Sequence, residues 1–259
     1  MPRLTINGVG LYYEEHGSGP PLMLLHGFAG TAAMWAPQVE PLSSRHRLIV
    51  YDMRGHGRSA APYALSDYSL DIVVEDHYQL MRALGLERAV IGGLSLGGFV
   101  SLHFQARHPD MVAGLILADT GAGYRGPGPS MDQTNQVWRR TAEVLVAGGI
   151  ESYVESPLSA LTYYSTAEVM RGHSAIGLTN VSLGVMTNPV RPPLEEIGVP
   201  TLVLCGERDA PFLPLAEYLH RHIPGAEKAI IPRAGHASNL DQPAAFNRLV
   251  LDFLQRHHL

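Results

Sequence analysis

The sequence has very little cysteine, lysine and charge for its length of 259 residues. Its single cysteine, Cys205, excludes an internal disulfide, and only Lys228 among its 19 basic residues is a lysine. Arginine is thus the ordinary cation here, and one arginine is weak evidence for an anion-binding site. Charged residues make up 17% of the chain, below the roughly 25% of an average globular protein, whereas 46% are hydrophobic. This balance excludes a disordered or fibrous chain and indicates a packed core.

Membrane-spanning runs and an excess of positive charge are also missing. The apolar stretch at residues 89–104 contains four glycines, two serines and a histidine, so it is a poor membrane span. The first ten residues lack the apolar centre of a secretion signal. The net charge of −5 provides no basic surface for nucleic acid or anionic lipid. We therefore expect a soluble, cytoplasmic protein with no nucleic-acid or membrane partner, and the composition leaves the oligomeric state open.

Short apolar segments alternate with amphipathic helical patterns along most of the chain. Strand-like runs at residues 4–6 and 9–15 flank an Asn7-Gly8 turn signal and predict an antiparallel hairpin. Continuous apolar runs, typical of parallel strands buried on both faces, follow at residues 21–25, 47–51, 89–91, 112–118, 201–205 and 227–231. The pattern predicts an α/β fold with a mostly parallel central sheet, an N-terminal antiparallel hairpin and helices on both faces.

Helical spacing of apolar residues marks the elements between these strands. One helix is predicted over residues 70–84, with Ser66 or Asp67 as its N-cap. The last helix is expected to have Asp241 as its cap and Pro243 in its first turn. This last helix is interpreted as a packing element.

The strand–helix alternation stops over residues 121–197, here called the insertion. We interpret the insertion as a helical lid placed after the sixth strand, with residues 1–120 and 198–259 forming the core domain. A connection of this length is usually functional or disordered, and the aromatic residues in it favour order. Its candidate substrate-binding residues are Trp138, Tyr163 and Met186. A (β/α)₈ barrel fits less well, because it explains neither the opening hairpin nor the single long insertion.

The segment Gly93-Leu94-Ser95-Leu96-Gly97 matches the pattern G-x-S-x-G, between a strand-like run and a helical pattern. A nucleophile on such a tight turn has a strained backbone, and residues two positions away must be small because their side chains would collide. Ser95 is therefore the candidate nucleophile, at the start of a helix whose unpaired N–H groups can stabilise an oxyanion. The alternative is a glycine-rich junction with an uninvolved serine.

A serine nucleophile needs a histidine base and a carboxylate that orients the histidine. Asp209 and His236 each follow a predicted strand, just past its carboxyl end. Parallel sheets place their ligand sites at those ends, so we expect Ser95, Asp209 and His236 to converge. Asp119 also ends a predicted strand and is the alternative acid, unless it only caps its loop.

These residues resemble the α/β-hydrolase family, whose catalytic groups occur in the chain order serine, aspartate, histidine. The resemblance covers nearly the whole chain and depends on His26-Gly27-Phe28, residues 52–59, the turn around Ser95, and the loops of Asp209 and His236. It implies an oxyanion hole formed by the backbone N–H groups of Phe28 and Leu96. The chain has His-Gly-Phe where some lipases have His-Gly-Gly-Gly, which disfavours esters of bulky tertiary alcohols. His26 and His56 are expected to order their loops.

The resemblance implies a serine hydrolase that cleaves small to medium carboxylic esters through an acyl-enzyme. Enol-lactone hydrolysis, carbon–carbon bond hydrolysis and perhydrolysis by the same groups are alternatives, and a non-catalytic small-molecule receptor is a remote one. Epoxide hydrolases and haloalkane dehalogenases of this fold use an aspartate nucleophile, so Ser95 argues against both. Four arginines of the insertion either bind an anionic substrate or are solvated surface residues; they are Arg125, Arg139, Arg140 and Arg171.

The sequence predicts neither a cofactor nor a metal. Residues 121–126 match the dinucleotide pattern G-x-G-x-x-G, but Pro127 and Pro129 prevent the helix that would bind a pyrophosphate. The chain also lacks the spacing of histidines or paired cysteines that is typical of zinc sites. Cys205 lies in a predicted strand and is interpreted as an inert core thiol.

Overall fold

The computed structural model describes residues 2–123, 130–187 and 190–259. The strands of these residues form one eight-stranded sheet in the order β1-β2-β4-β3-β5-β6-β7-β8. They are β1 (Arg3–Ile6), β2 (Val9–His16), β3 (Pro21–Leu25), β4 (Arg47–Tyr51), β5 (Ala89–Leu94), β6 (Val112–Ala118), β7 (Thr201–Gly206) and β8 (Glu227–Ile231). β2 is antiparallel to β1 and β4, and all other neighbours are parallel. The predicted mostly parallel sheet is confirmed.

The predicted hairpin at the start of the chain is also confirmed. Asn7 and Gly8 have positive φ angles of 47° and 78°. Two consecutive residues of this kind match the twist of the flanking strands, which is why Asn-Gly is favoured in two-residue hairpins. β2 then continues along β4 and joins the hairpin to the parallel strands.

Helices cover both faces of the sheet, as predicted. Alternate side chains of each strand point to opposite faces, so Leu22 and Leu24 pack in one apolar cluster and Met23 and Leu25 in the other. The helices are α1 (Ala36–Ser43), α2 (Leu70–Ala83), α3 (Leu96–Arg107), α4 (Met131–Glu155), α5 (Ala167–Arg171), α6 (Ala175–Gly184), α7 (Leu213–His222), α8 (Ser238–Asp241) and α9 (Pro243–Arg256). Helices α1 and α9 cover the first cluster, and α2, α3 and α7 cover the second. None of the helices in the described ranges is long and apolar enough to cross a membrane.

Two predicted helix caps are wrong. Ser69 caps α2, because its hydroxyl accepts a backbone N–H of the first turn, and Ser66 and Asp67 precede the helix in a 3₁₀ turn. Gln242, not Asp241, occupies the N-cap position of α9. The carboxylate of Asp241 accepts hydrogen bonds from other parts of the chain instead.

The insertion follows β6, the sixth strand, and contributes α4, α5 and α6. Helix α4 is interrupted by Gly148 and Gly149, whose φ angles of −150° and 69° are not helical. The two longer helices, α4 and α6, pack against each other. The insertion therefore has its own internal packing, and it also contacts the loop after β3 and helix α7.

Candidate active site

Ser95 occupies the turn between β5 and α3 with φ 54° and ψ −113°. A positive φ is unfavourable for a residue with a side chain, so neighbouring groups must hold it. The Ser95 N–H donates to the Ala118 carbonyl at 2.9 Å. The Ser95 carbonyl accepts from the Phe99 N–H at 3.0 Å and from Thr120 Oγ1 at 2.6 Å. Ser95 is therefore fixed to the end of β6 and to the first turn of its own helix.

The glycines on either side of Ser95 have no room for a side chain. A Cβ atom on Gly93 would lie 2.7 Å from the Gly97 carbonyl carbon. A Cβ atom on Gly97 would lie 2.2 Å from the Leu25 carbonyl oxygen. Both distances are far inside van der Waals contact, so the sequence expectation that these positions must be small is confirmed.

Asp209 and His236 meet beyond the ends of β7 and β8. Nδ1 of His236 donates to Oδ2 of Asp209 at 2.8 Å. Asp209 is only 5% exposed, and the ring of His236 packs on that of Phe212 with the centroids 4.3 Å apart. A carboxylate on Nδ1 keeps the proton on that nitrogen, so the lone pair of Nε2 can accept a proton.

Asp119, the alternative acid, lies at the end of β6 with φ 46° and is fully buried. Its Oδ1 accepts from the Gly206 N–H at 2.8 Å. Its Oδ2 accepts from the N–H and the hydroxyl of Ser238, at 3.1 and 2.5 Å. Burial raises the pKa of Asp119 to about 7, against the hydrogen bonds from Ser238 and Gly206. Asp119 thus joins the loop that precedes Asp209 to the segment that follows His236, while the imidazole bonds to Asp209.

Phe28 and Leu96, the residues assigned to the oxyanion hole, are both buried. Leu96 is the first residue of α3, where backbone N–H groups have no partner inside the helix. Phe28 belongs to residues 26–30, here called the β3 loop. The side chain of His26 orders this loop, since Nδ1 donates to the Gly27 carbonyl at 2.8 Å and Nε2 accepts from the Met53 N–H at 2.9 Å.

His56 also has a loop-ordering role. Its Nδ1 donates to the Arg54 carbonyl at 3.2 Å, and its ring lies 4.8 Å from that of His26. Burial, with neighbouring histidines, lowers the pKa of His56 well below its ordinary value, so the ring is neutral at pH 7. The expectation that His26 and His56 order their loops agrees with these contacts.

The three residues proposed to bind substrate lie in different surroundings. Trp138 packs its ring edge-on against Phe28, with centroids 4.9 Å apart. Tyr163 uses its hydroxyl to donate to Asp241 at 2.9 Å and to accept from the Ala237 N–H at 2.8 Å, next to His236. Met186 is partly buried against the core. Of the three, Trp138 contacts a residue assigned to the oxyanion hole.

Sequence reasoning missed three polar residues of the insertion at this site. Tyr164, Ser165 and His173 donate hydrogen bonds to carbonyls of the β3 loop, 136 to 144 residues earlier in the chain. Their acceptors are main-chain groups, which no residue pattern reveals. The only local signal is that polar side chains occur among the tyrosines of the insertion.

Of the four arginines considered as anion-binding candidates, the three that the structure describes lie on the surface. Arg140 pairs with Glu143 and Arg171 pairs with Glu151, and both guanidinium groups are more than half exposed. Arg139 is exposed as well. Arg125, like the second half of the dinucleotide-type pattern, lies outside the described residues. These observations favour the interpretation of Arg140 and Arg171 as surface residues.

One group of potential metal ligands lies beside the site. Oxygen atoms of Asp119 and Asp209 and the sulfur of Cys205 are within 4.8 Å of one another. The carboxylates already accept hydrogen bonds from Gly206, Ser238 and His236. Burial raises the pKa of the Cys205 thiol, so it stays protonated and is a poor ligand. These contacts fit hydrogen-bonded loops better than a metal centre.

Comparisons with known proteins agree with this architecture. A family model described as alpha/beta hydrolase fold matches residues 20–148. A putative 2-succinyl-6-hydroxy-2,4-cyclohexadiene-1-carboxylate synthase of Bacillus subtilis (strain 168) is 30% identical, over 95% of each chain. A thermophilic esterase of Thermogutta terrifontis superposes with a TM-score of 0.84 at 30% identity, covering 100% of this chain and 99% of that one. An enol-lactonase of Burkholderia xenovorans LB400 has a TM-score of 0.86 at 28% identity, covering 98% and 100%. Similarity of this extent, in sequence and in fold, means that the chain belongs to the α/β-hydrolase family.

Proposed function

We propose that the protein is a serine carboxylesterase that cleaves small to medium, uncharged carboxylic esters through an acyl-enzyme. The observation that supports this most directly is the His236–Asp209 hydrogen bond of 2.8 Å, at the same edge of the sheet as the strained Ser95. Histidine and aspartate in this relation, with a serine on a strand-to-helix turn, are the parts of a nucleophilic triad. The small-molecule ester is the only partner that this function needs.

In the proposed reaction, Ser95 Oγ attacks the ester carbonyl carbon while Nε2 of His236 takes the hydroxyl proton. The resulting oxyanion accepts hydrogen bonds from the N–H groups of Phe28 and Leu96. The tetrahedral intermediate collapses, the C–O bond breaks, and His236 returns the proton to the leaving alcohol. Water then attacks the acyl-enzyme, with the same histidine as base, and the carboxylic acid leaves as Ser95 regains its proton. Asp209 orients the imidazole throughout and stabilises its charged form.

The surroundings of the site favour uncharged substrates. The aromatic rings of Trp138 and Phe212 lie against Phe28 and His236. Arg140 and Arg171 are exposed and already paired with Glu143 and Glu151. An apolar acyl group gains about 25 cal/mol for each Å² that it buries against such walls, whereas a carboxylate would lose hydration without an ion pair.

Enol-lactone hydrolysis is the second candidate. It is favoured by the likeness to the Burkholderia xenovorans enol-lactonase, whose fold matches 98% of this chain. The same triad opens a lactone by the same acyl transfer, with the alcohol remaining in the product. The exposed positions of Arg139, Arg140 and Arg171 give no support to the binding of an anionic lactone by these three residues.

Initial rates on p-nitrophenyl acetate, butyrate, octanoate and laurate test the proposal, with Ser95→Ala as the matched control. We expect a preference for the shorter acyl chains and no activity above background in the variant. Wild-type rates equal to those of Ser95→Ala would contradict the carboxylesterase. In that case enol-lactones and β-diketones are the next substrates, and failure on these as well would favour a small-molecule receptor.

A further inference from the structure

Three side chains of the insertion bond to two neighbouring carbonyls of the β3 loop. The Tyr164 hydroxyl donates to the Phe28 carbonyl at 2.6 Å. The Ser165 hydroxyl and Nε2 of His173 both donate to the Ala29 carbonyl, at 2.6 and 2.9 Å. Both acceptors belong to the loop that carries the Phe28 amide, and all three donors belong to the insertion.

The β3 loop has a conformation that needs such support. Ala29 has a φ of 56°, which is unfavourable for a residue with a Cβ atom. Gly27 lies so close to the insertion that a Cβ atom there would be 2.8 Å from the Tyr164 hydroxyl oxygen. The core holds the start of the loop through the hydrogen bonds of His26. The three insertion donors hold its second half.

His173 is suited to donate in this geometry. Its Nδ1 accepts from the Gly57 N–H at 2.9 Å, so the ring proton must be on Nε2, which faces the Ala29 carbonyl. Burial lowers the pKa of His173 to about 4, and the ring is therefore neutral at pH 7. One imidazole thus links the β3 loop to residues 52–59.

The positions of these bonds bear directly on the Phe28 amide. Its N–H belongs to the peptide group that joins Gly27 to Phe28, and the two carbonyls belong to the next two peptide groups. The N–H of the Ala29–Gly30 peptide group, whose carbonyl Ser165 and His173 hold, donates at 2.9 Å to the Gly27 carbonyl. That carbonyl belongs to the same planar group as the Phe28 N–H and also accepts from His26, so the insertion and His26 together restrict the direction of this N–H. Trp138, also from the insertion, packs on the side chain of the same residue.

We propose that Tyr164, Ser165 and His173 are positioning residues that aim the Phe28 N–H at the reacting carbonyl oxygen. The oxyanion hole is then complete only while the insertion is docked on the β3 loop, so the segment that covers the site also assembles it. This inference rests on the proposed function, because it assigns the Phe28 N–H to the oxyanion.

Kinetics of Tyr164→Phe, Ser165→Ala and the double variant test the inference with p-nitrophenyl butyrate. Removal of one oxyanion donor costs about 10² to 10³ in kcat, so a donor left in place but poorly aimed should cost about 10-fold in each single variant and about 50-fold in the double. KM should change by less than about twofold, because the interaction strengthens in the transition state. Ser165→Thr keeps a hydroxyl and should restore most of the rate.

Tyr153→Phe is the matched control. The Tyr153 hydroxyl is also buried in the insertion, but it bonds to the Leu158 carbonyl and to Thr162 within the insertion itself. Its kcat should stay within about twofold of the wild type. A loss in Tyr153→Phe as large as in Tyr164→Phe would attribute the effect to general loosening of the insertion and overturn the inference.

A trifluoromethyl ketone inhibitor separates aiming of the N–H from general damage. It forms a hemiketal with Ser95 whose oxygen occupies the oxyanion hole. Its Ki should rise across the variants in proportion to the loss of kcat/KM. An unchanged Ki with a lower kcat, or an unchanged kcat in the double variant, would contradict the proposal.

Amide hydrogen exchange of the β3 loop provides a measurement that does not depend on catalysis. We expect exchange of a peptide covering residues 24–34 to be about 10-fold faster in Tyr164→Phe/Ser165→Ala than in the wild type or Tyr153→Phe. If the wild type hydrolyses no ester, the proposed function fails, and this comparison still decides whether Tyr164 and Ser165 hold the β3 loop. Equal exchange in all three proteins would overturn it.

Discussion

The two sides of the candidate site are held in different ways. The loops of Asp209 and His236, here called the histidine side, are held mainly by the core carboxylate of Asp119. The β3 loop, here called the Phe28 side, accepts hydrogen bonds from side chains of the insertion. Asp119 accepts from Gly206 and Ser238, which belong to the segments that position Asp209 and His236. Tyr163 adds one contact from the insertion on that side, through the Ala237 N–H. The histidine side therefore has two independent supports.

The Phe28 side depends more strongly on the insertion. Three of its hydrogen bonds come from there, and the core contributes His26 at the start of the loop. In the proposed reaction, proton transfer and oxyanion stabilisation are thus supported by different parts of the fold. Substitutions in the core should therefore impair proton transfer by His236, and substitutions in the insertion should impair stabilisation of the oxyanion.

Ser95→Ala should have the largest effect, because it removes the nucleophile on which both the proton transfer by His236 and the formation of the oxyanion depend. We expect kcat to fall about 10⁵-fold or more. Labelling by a fluorophosphonate probe, followed by mass spectrometry, should disappear with the activity, while the melting temperature changes little. If a folded Ser95→Ala variant kept its activity, Ser95 would not be the nucleophile, and the roles given to the two sides would fail.

Asp209→Asn should remove the histidine side alone. An amide cannot hold the imidazole in the required tautomer, and kcat should fall about 10⁴-fold. Binding of the substrate should be nearly unaffected, so KM from steady-state rates is the companion measurement. Asp119→Asn losing more activity than Asp209→Asn would reverse the assignment of the two carboxylates.

Asp119→Asn should have an intermediate effect. An amide has one acceptor oxygen, so its NH₂ group must face the N–H of either Gly206 or Ser238, and the two loops separate. A displacement on the order of 1 Å can cost about 100-fold in rate, so we expect kcat to fall about 10- to 100-fold. In each of the two variants the Ki of the trifluoromethyl ketone should rise with the fall in kcat/KM, and an unchanged rate in Asp119→Asn would contradict the support from Asp119.

Tyr163→Phe should cost less than Tyr164→Phe, although the two residues are neighbours. Tyr163 shares the support of the His236 segment with Asp119, so we expect a loss of about two- to threefold in kcat. Tyr164 has no such substitute at the Phe28 carbonyl among the described residues. Equal losses in parallel kinetic assays would contradict the different dependence of the two sides on the insertion.

The smallest expected effect concerns pH and stability. The pKa of Asp119 is about 7 in the folded chain, above its ordinary 3.8. A raised carboxyl pKa means that the folded state binds more protons, so the stability from this group is complete below pH 3.8 and is lost as the pH rises through 7. We compare the free energy of unfolding of the wild type with that of Asp119→Asn at pH 4 and at pH 8. The value for the wild type, relative to that of the variant, should be lower at pH 8 by about 1 to 3 kcal/mol. Urea unfolding at both pH values measures it, and a constant difference would contradict the raised pKa.

Much of the fold could be predicted from the sequence because its signals are local. The Asn7-Gly8 turn, the continuous apolar strands and the small residues around Ser95 each act within a few positions of the chain. Asp209 and His236 could be placed because both follow strands of one parallel sheet. Their hydrogen bond confirms the expected convergence of these two loops.

The contacts of the insertion could not be predicted in the same way. Tyr164 and Ser165 reach acceptors 136 residues away, and those acceptors are carbonyls that every residue carries. Asp241 illustrates the same difficulty, since its position before α9 is typical of an N-cap. Its carboxylate instead accepts from Tyr163 and from the Gly235 N–H, and this tertiary pairing replaces the local role.

The β3-loop groups that accept hydrogen bonds from the insertion are main-chain carbonyls, so these hydrogen bonds do not depend on which side chain occupies position 28. The insertion holds the carbonyls of Phe28 and Ala29, and those carbonyls persist whatever side chains occupy the two positions. A smaller apolar side chain at position 28 would therefore change the packing against Trp138 while leaving both acceptor carbonyls available to the insertion.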